Sequence, residues 1–201
     1  MYVNQCYMIS NKAELRSRFK SVRNSVTGSE RKTKQDKINN NFYEFLNLLN
    51  ITGGNIFIYK SFASEVETGE IIKNLSDIGY KILIPKCNVS DETMTATVYN
   101  PTKKQTVNEY GITEMKNSDY ADDKIDLIIA PGICFDRFGS RIGFGKGYYD
   151  KFINSLAYKP IVVAICFSEQ IFDGEIPRDE HDCIMDYIIT DKEIIYTKEK
   201  K

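Results

Sequence analysis

Paired cysteines are missing from this chain. There are five, at positions 6, 87, 134, 166 and 183, an odd number, widely scattered, with no Cys-x-x-Cys among them. That spacing speaks against a disulfide framework and against a structural zinc site. Cys87, Cys134 and Cys166 lie in apolar stretches and are expected to be core thiols. Histidine is nearly absent: His181 stands alone. With no serine or cysteine nucleophile placed to pair with it, a hydrolase triad is not expected. No apolar run is long enough to span a bilayer. The opening MYVNQCYMIS lacks the basic start and long apolar segment of a secretory signal. A cytoplasmic protein without a membrane partner is expected. Internal repeats and low-complexity linkers are missing too, so residues 1–201 read as one domain. With 42% hydrophobic and 27% charged residues, the chain can bury an ordinary globular core.

Charge is balanced overall, at −1, but unevenly placed. Residues 1–50 hold nine Lys/Arg against four Asp/Glu, and the remainder holds eighteen against twenty-four. A basic first segment suits either nucleic acid or an anionic small ligand, although most such charges on a helix simply face water. The acidic remainder and the lack of base-stacking motifs weigh against nucleic acid.

Hydrophobic periodicity predicts alternating helices and strands. Leu15, Phe19 and Val22 mark one face of a helix from Lys12 to about Ser25. Thr27-Gly-Ser-Glu30 has the form of a capping box for a second helix, with Ile38, Phe42, Phe45, Leu46 and Leu49 as its stripe and Gly53-Gly54 as its stop. Ser64-Glu-Val-Glu67 has the same form ahead of Ile71, Ile72, Leu75 and Ile78. NIFIY (55–59), KILIP (81–85), IDLIIA (125–130) and IVVAICF (161–167) read as buried strands, TMTATVY (93–99) as an alternating one and DYIIT (186–190) as the last. A further helix follows from Tyr148 to about Leu156. This alternation implies an α/β fold, a three-layer sandwich on a mainly parallel central sheet, Rossmann-like. In such folds ligands bind beyond the C-terminal strand ends.

One such end carries PGICFDRFGSRIGFGKGYYD (131–150). Glycines 139, 143, 145 and 147 let backbone N–H groups approach oxygens closely, Arg141 and Lys146 neutralise charge, and Asp150 opens the next helix. These are the residue types that hold polyphosphate and its metal. The loop is not a P-loop, which would need Gly at 140 and Ser or Thr at 147, where Ser140 and Gly147 stand. Nor does it have the spacing of a dinucleotide fingerprint. A second metal carboxylate would come from IPRDEHDCIMD (176–186), which offers Asp179, Glu180, Asp182 and Asp186. In SEVET (64–68), a carboxylate at the sheet edge could instead accept a ligand's N–H groups. Read on these grounds alone, a sugar-phosphate isomerase or coenzyme A transferase chemistry, with a catalytic carboxylate and no ATP, stays open.

KAELR (12–16), YKSFASEVET (59–68), ILIP (82–85), PGICFD (131–136), GSRIGFGKGYYD (139–150) and IPRDEHD (176–182) together resemble the 5-formyltetrahydrofolate cyclo-ligase family, whose members are also called 5,10-methenyltetrahydrofolate synthetases. The resemblance implies ATP- and Mg2+-dependent ring closure of 5-formyltetrahydrofolate, with release of ADP and phosphate. It implies ATP binding by Lys12, Arg16, Arg141, Gly143, Gly145, Lys146, Gly147, Tyr148 and Tyr149, with Arg141 and Lys146 as the catalytic cations. Folate would be met by Lys60, Glu65, Tyr110, Phe144 and Tyr148, and Mg2+ by Asp150 and Asp182. It further implies a monomer acting on small molecules, with residues 1–11 as an N-terminal extension.

Overall fold

The computed structural model describes residues 11–103, 105–107, 113–115, 121 and 124–197. In chain order its elements are α1 (Lys12–Ser25), α2 (Gly28–Leu48), β1 (Asn55–Ile58), α3 (Gly69–Asp77), β2 (Lys81–Asn88) and β3 (Thr93–Val98). Then come β4 (Gln105–Val107), β5 (Thr113–Met115), β6 (Leu127–Ala130), β7 (Cys134–Asp136), β8 (Arg141–Ile142) and α4 (Tyr148–Ser155). The last are β9 (Ile161–Ile165), β10 (Ile171–Phe172), β11 (Tyr187–Ile189) and β12 (Ile194–Tyr196).

Seven strands form the central sheet in the order β12-β11-β9-β6-β1-β2-β3. The five inner strands run parallel, and the edges β3 and β12 are antiparallel to their neighbours. Inner strands reading as continuous apolar runs are buried on both faces, as parallel strands must be. One face carries Ile56, Ile58, Ile82, Ile84, Leu127, Ile129 and Val163 against Ile38, Phe42 and Phe45 of α2 and Ile71, Ile72 and Leu75 of α3. The other carries Phe57, Leu83, Ile128, Val162, Ala164 and Ile188 against Phe152 of α4. The period-2 alternation of the strands thus divides one apolar sequence between two cores, and three layers result. Helix α1 packs Leu15 and Phe19 on Ile133, Cys134 and Ile142 beside the sheet. Asn11 caps it, its side chain accepting from the Glu14 amide at 2.9 Å.

The topology has one switch point. From β1 the chain crosses through α3 to β2, while from β6 it crosses through α4 to β9 in the opposite direction. The two crossover helices lie on opposite faces, so a crevice opens beyond the C-terminal ends of β1 and β6.

Several local expectations need correction. Neither capping box forms: Thr27 is the N-cap of α2 without a side-chain bond, and α3 starts at Gly69, after Thr68. The carbonyls of Ser64 and Glu65 accept instead from the Arg31 guanidinium, at 3.3 and 2.6 Å, and Ala63 has a φ of 52°. A turn held from outside by an arginine replaces the first turn of the expected helix. Helix α2 stops at Leu48, ahead of Gly53-Gly54, because Asn50 takes the left-handed conformation at φ 52°. Ile78 caps α3 and is exposed. DYIIT is not the last strand. A Thr190–Glu193 turn returns the chain as β12, three residues too short to show a period.

Candidate active site

A cavity of about 450 Å³ lies at the switch point. Tyr59, Lys60, Phe62 and Glu65 enter it from the segment after β1, Pro85 and Cys87 from β2, Met94 from β3 and Pro131 from the end of β6. Residues 141–150 line it as well, with Lys12 and Arg16 from α1 and Asp179 and Asp182 from the segment before β11. Each residue that the sequence assigned to ATP or to a metal lines this one cavity, as do Lys60, Glu65, Phe144 and Tyr148. Tyr110 lies outside the described residues. The apolar contacts Tyr59, Phe62, Pro85, Cys87 and Met94 were not foreseen. Pro85 and Cys87 are two apart on a strand and so share a face, a signal visible in the sequence only once that face is known to meet a ligand. Cys87 is accordingly half-buried in the cavity wall rather than a core thiol, whereas Cys134 and Cys166 are buried.

The glycine-rich loop is shaped by backbone that only glycine adopts readily. Gly145 has a φ of 101°, and Gly147, at φ 68°, is the N-cap of α4. With no side chain there, the first amides of α4 are left to face a ligand. Arg16 donates from Nε to the Gly143 carbonyl at 2.9 Å, tying the loop to α1. Lys12, Arg16 and Arg23 recur at i, i+4 and i+11, so one basic stripe of α1 turns toward the site.

The cations of the cavity stand beside carboxylates. Arg141 is almost fully buried; it donates to the Pro131 carbonyl at 3.0 Å and to Asp150 Oδ1 at 2.8 Å, and lies over the Tyr149 ring at 5.6 Å. Asp150 Oδ1 also accepts from the Cys183 amide at 3.2 Å, which places Asp150 against the residue following Asp182. Lys12 Nζ reaches Asp179 and Asp182, each at 2.5 Å. Burial alone would pull the Lys12 ammonium down, but its bonds to Asp179 and Asp182 outweigh this and leave its pKa above the usual lysine value. Burial likewise pushes Asp182 up, and the bonds from Lys12 and the Asp179 amide, with the charges of Lys12 and Arg141, hold it below the usual value. Lys146 is more exposed, 3.9 Å from Glu92. Burial lowers the Lys60 ammonium, which lies 5.5 Å from the Tyr99 ring centroid.

Two buried polar atoms in this wall, the Tyr149 hydroxyl and Arg141 Nε, have no hydrogen-bond partner. Buried polar groups are rarely left so, and these are donors available to a ligand. Among the described residues no group of three or more His, Cys, Asp and Glu could hold a metal by itself. Asp150 and Asp182 nonetheless suit Mg2+, which takes one or two carboxylates and completes its shell with water and substrate phosphates. His181 is not part of the wall; its carbonyl accepts from Asn154 at 2.9 Å. No described helix is long and apolar enough to cross a membrane.

Comparison with known proteins bears on this geometry. A family model described as the 5-formyltetrahydrofolate cyclo-ligase family matches residues 8–191. The probable 5-formyltetrahydrofolate cyclo-ligase of Schizosaccharomyces pombe is 34% identical over 156 residues, spanning 70% of this chain and 76% of the relative. The 5-formyltetrahydrofolate cyclo-ligase of Mus musculus is 32% identical over 146 residues, spanning 67% and 71%. The same fold is found in the 5,10-methenyltetrahydrofolate synthetase of Aquifex aeolicus, with a TM-score of 0.79 at 24% identity over 94% of each chain. It recurs in that of Mycoplasma pneumoniae, with a TM-score of 0.71 at 22% identity over 90% of this chain and 99% of the other.

Proposed function

The chain belongs to the 5-formyltetrahydrofolate cyclo-ligase family, and we propose on that premise that it converts 5-formyltetrahydrofolate to 5,10-methenyltetrahydrofolate at the expense of ATP, with Mg2+. Membership makes it an enzyme of the ligase class. The observation that carries the finer reading is the division of one cavity into two chemistries. Lys12, Arg16, Arg141, Lys146, Asp150 and Asp182 line it together with the glycine-rich loop, and Tyr59, Phe62, Glu65, Pro85 and Met94 line it from the segment after β1 and from β2 and β3. The first half suits a polyphosphate, the second a flat heterocycle with N–H donors.

In this reading the formyl oxygen attacks the γ-phosphorus of ATP. A new O–P bond forms, the bond to the β-phosphate oxygen breaks, and ADP leaves. The folate's 10-nitrogen then attacks the activated formyl carbon, the C–O bond breaks, and phosphate departs with the proton of that nitrogen. Phosphoryl transfer asks of the protein mainly position and charge neutralisation. Arg141, held at 2.8 Å from Asp150, is fixed before substrate arrives, and Lys146 reaches the phosphates from the exposed tip of the loop. The amides at the start of α4 point donors at the phosphate oxygens as charge shifts between them. Asp150 and Asp182 would hold Mg2+, whose charge, when bound, offsets that of the phosphates. Glu65 accepts from the pterin N–H groups and sets the distance between the formyl group and the loop. No side chain is needed as a base, since an amide oxygen attacks without losing a proton.

The test mixes the protein with 5-formyltetrahydrofolate, ATP and Mg2+ and follows the near-ultraviolet absorbance of the methenyl product. The band is expected only when all three are present, and Asp182→Asn is expected to raise the Mg2+ concentration needed for half-maximal rate. A band that grows without ATP overturns the reading.

A further inference from the structure

Among the described residues Arg23 is the most deeply buried cation, with 2% of its side chain exposed, yet it does not line the cavity. It stands directly behind Glu65, with Nη1 4.0 Å from Oε1, an ion pair between two buried groups. Its Nε donates to Ser64 Oγ at 3.0 Å and its Nη1 to the Gly132 carbonyl at 3.2 Å. The ring of Phe144, from the glycine-rich loop, lies 5.7 Å from the guanidinium carbon. Arg23 therefore touches the β1 turn, the end of β6 and the glycine-rich loop at once.

Glu65 needs such a partner. Its carboxylate is almost fully buried, and burial pushes its proton affinity up, against the Phe62 amide that donates to Oε2 at 2.9 Å and the Arg23 charge. The other ionisable groups facing it do not supply a cation. Tyr59, just after β1, and Tyr149 from α4 are phenols that burial keeps neutral. Arg31 from α2 spends its guanidinium on the backbone carbonyls of Ser64 and Glu65. A protonated carboxyl would present an O–H where a pair of acceptors is required, and an unclamped one would swing.

Building on the cyclo-ligase reading, we propose that Arg23 is a positioning residue for folate recognition, keeping the Glu65 carboxylate anionic and aimed at the paired N–H donors of the pterin ring. Arg23 acts through Glu65, and its contact with the glycine-rich loop is to Phe144, a residue assigned to folate rather than to ATP. The effect to be read is a folate KM raised about tenfold or more, each tenfold equivalent to about 1.4 kcal/mol.

The experiment measures KM for 5-formyltetrahydrofolate and for ATP separately in the wild type, Arg23→Met, Arg23→Lys, Glu65→Gln and the double variant Arg23→Met/Glu65→Gln. Arg23→Met is expected to raise the folate KM about tenfold or more and leave the ATP KM within about twofold, with Arg23→Lys recovering part of the loss. The double variant is expected to be no worse for folate than Glu65→Gln alone. Should Arg23→Met fail to fold, that last comparison still decides, because the double variant leaves no unpaired buried charge. Equal losses for both substrates, or a double variant clearly worse for folate than Glu65→Gln, overturn the inference while wild-type turnover upholds the cyclo-ligase reading. A wild type that makes no methenyl product overturns the reading and the inference with it.

Discussion

The Arg141–Asp150 pair permits a quantitative test of how the site is built. Its two side chains are 6% and 22% exposed and 2.8 Å apart. Arg141→Met removes two hydrogen bonds given by a charged donor, one to the Asp150 carboxylate and one to the Pro131 carbonyl, each worth about 1.5–3 kcal/mol. Breaking a fully buried pair costs about 3–5 kcal/mol. Asp150 keeps some solvent and the Cys183 amide, so the loss should lie near the bottom of that range, about 3 kcal/mol. Asp150→Asn, which leaves the arginine its Pro131 bond, should cost about 2 kcal/mol. Each variant leaves the other's partner unmatched, so the double variant should be about 1.5 kcal/mol more stable than the sum of single losses requires. Urea denaturation followed by far-ultraviolet circular dichroism measures all four proteins, and the absorbance assay measures turnover in parallel. Stability should be partly regained in the double variant while turnover is not. Single losses that add to within about 0.5 kcal/mol would refute the claim that these groups are coupled in the folded protein.

Lys146→Ala should lower turnover on the order of a hundredfold, the usual loss of a preorganised charge on a transferring group. Its melting temperature should stay unchanged, because the side chain is 56% exposed and no nearer than 3.9 Å to Glu92; turnover within a few fold of wild type would remove it from the chemistry. Gly145→Ala should raise the KM for ATP and cost about 1–3 kcal/mol in thermal unfolding, since φ is 101° although space is available, the nearest Arg16 atom lying 3.6 Å from an added Cβ. The Lys12–Asp182 pair predicts a pH dependence. Asp182 titrates below its unfolded value of 3.8, so its stabilisation is present above that value and lost as pH falls through the lowered one. Lys12 titrates above 10.5, so its share is present below that value and lost only as pH rises beyond it. Lys12→Met should therefore flatten the acid limb of the stability profile and leave stability between pH 6 and 9 lower by a constant amount of about 1 kcal/mol or less.

The strands of the inner sheet and the helices α1 and α4 were legible because apolar runs and 3.6-residue stripes are local patterns, and the loop at 131–150 was legible because glycines interleaved with cations have few other uses. The start of α3 was misread for the opposite reason. Ser64 and Glu67 have the spacing of a capping box, but Arg31, more than thirty positions away, takes the carbonyls of Ser64 and Glu65. Arg23 looked like one more charge on a basic helix, and only packing shows it to be buried behind Glu65.

By itself the sequence determined which segments are strands and helices, which loop can cradle phosphate, and the family to which the chain belongs, since each depends on residue types at short fixed spacings. Only the tertiary structure decided that Lys12, Glu65, Arg141 and Asp182 share one cavity. It also decided which carboxylate stands beside which cation and which arginine is buried behind a carboxylate rather than lining the cavity. Those outcomes depend on the direction of two crossover connections and on burial, which sets the strength of a charge by removing the water around it.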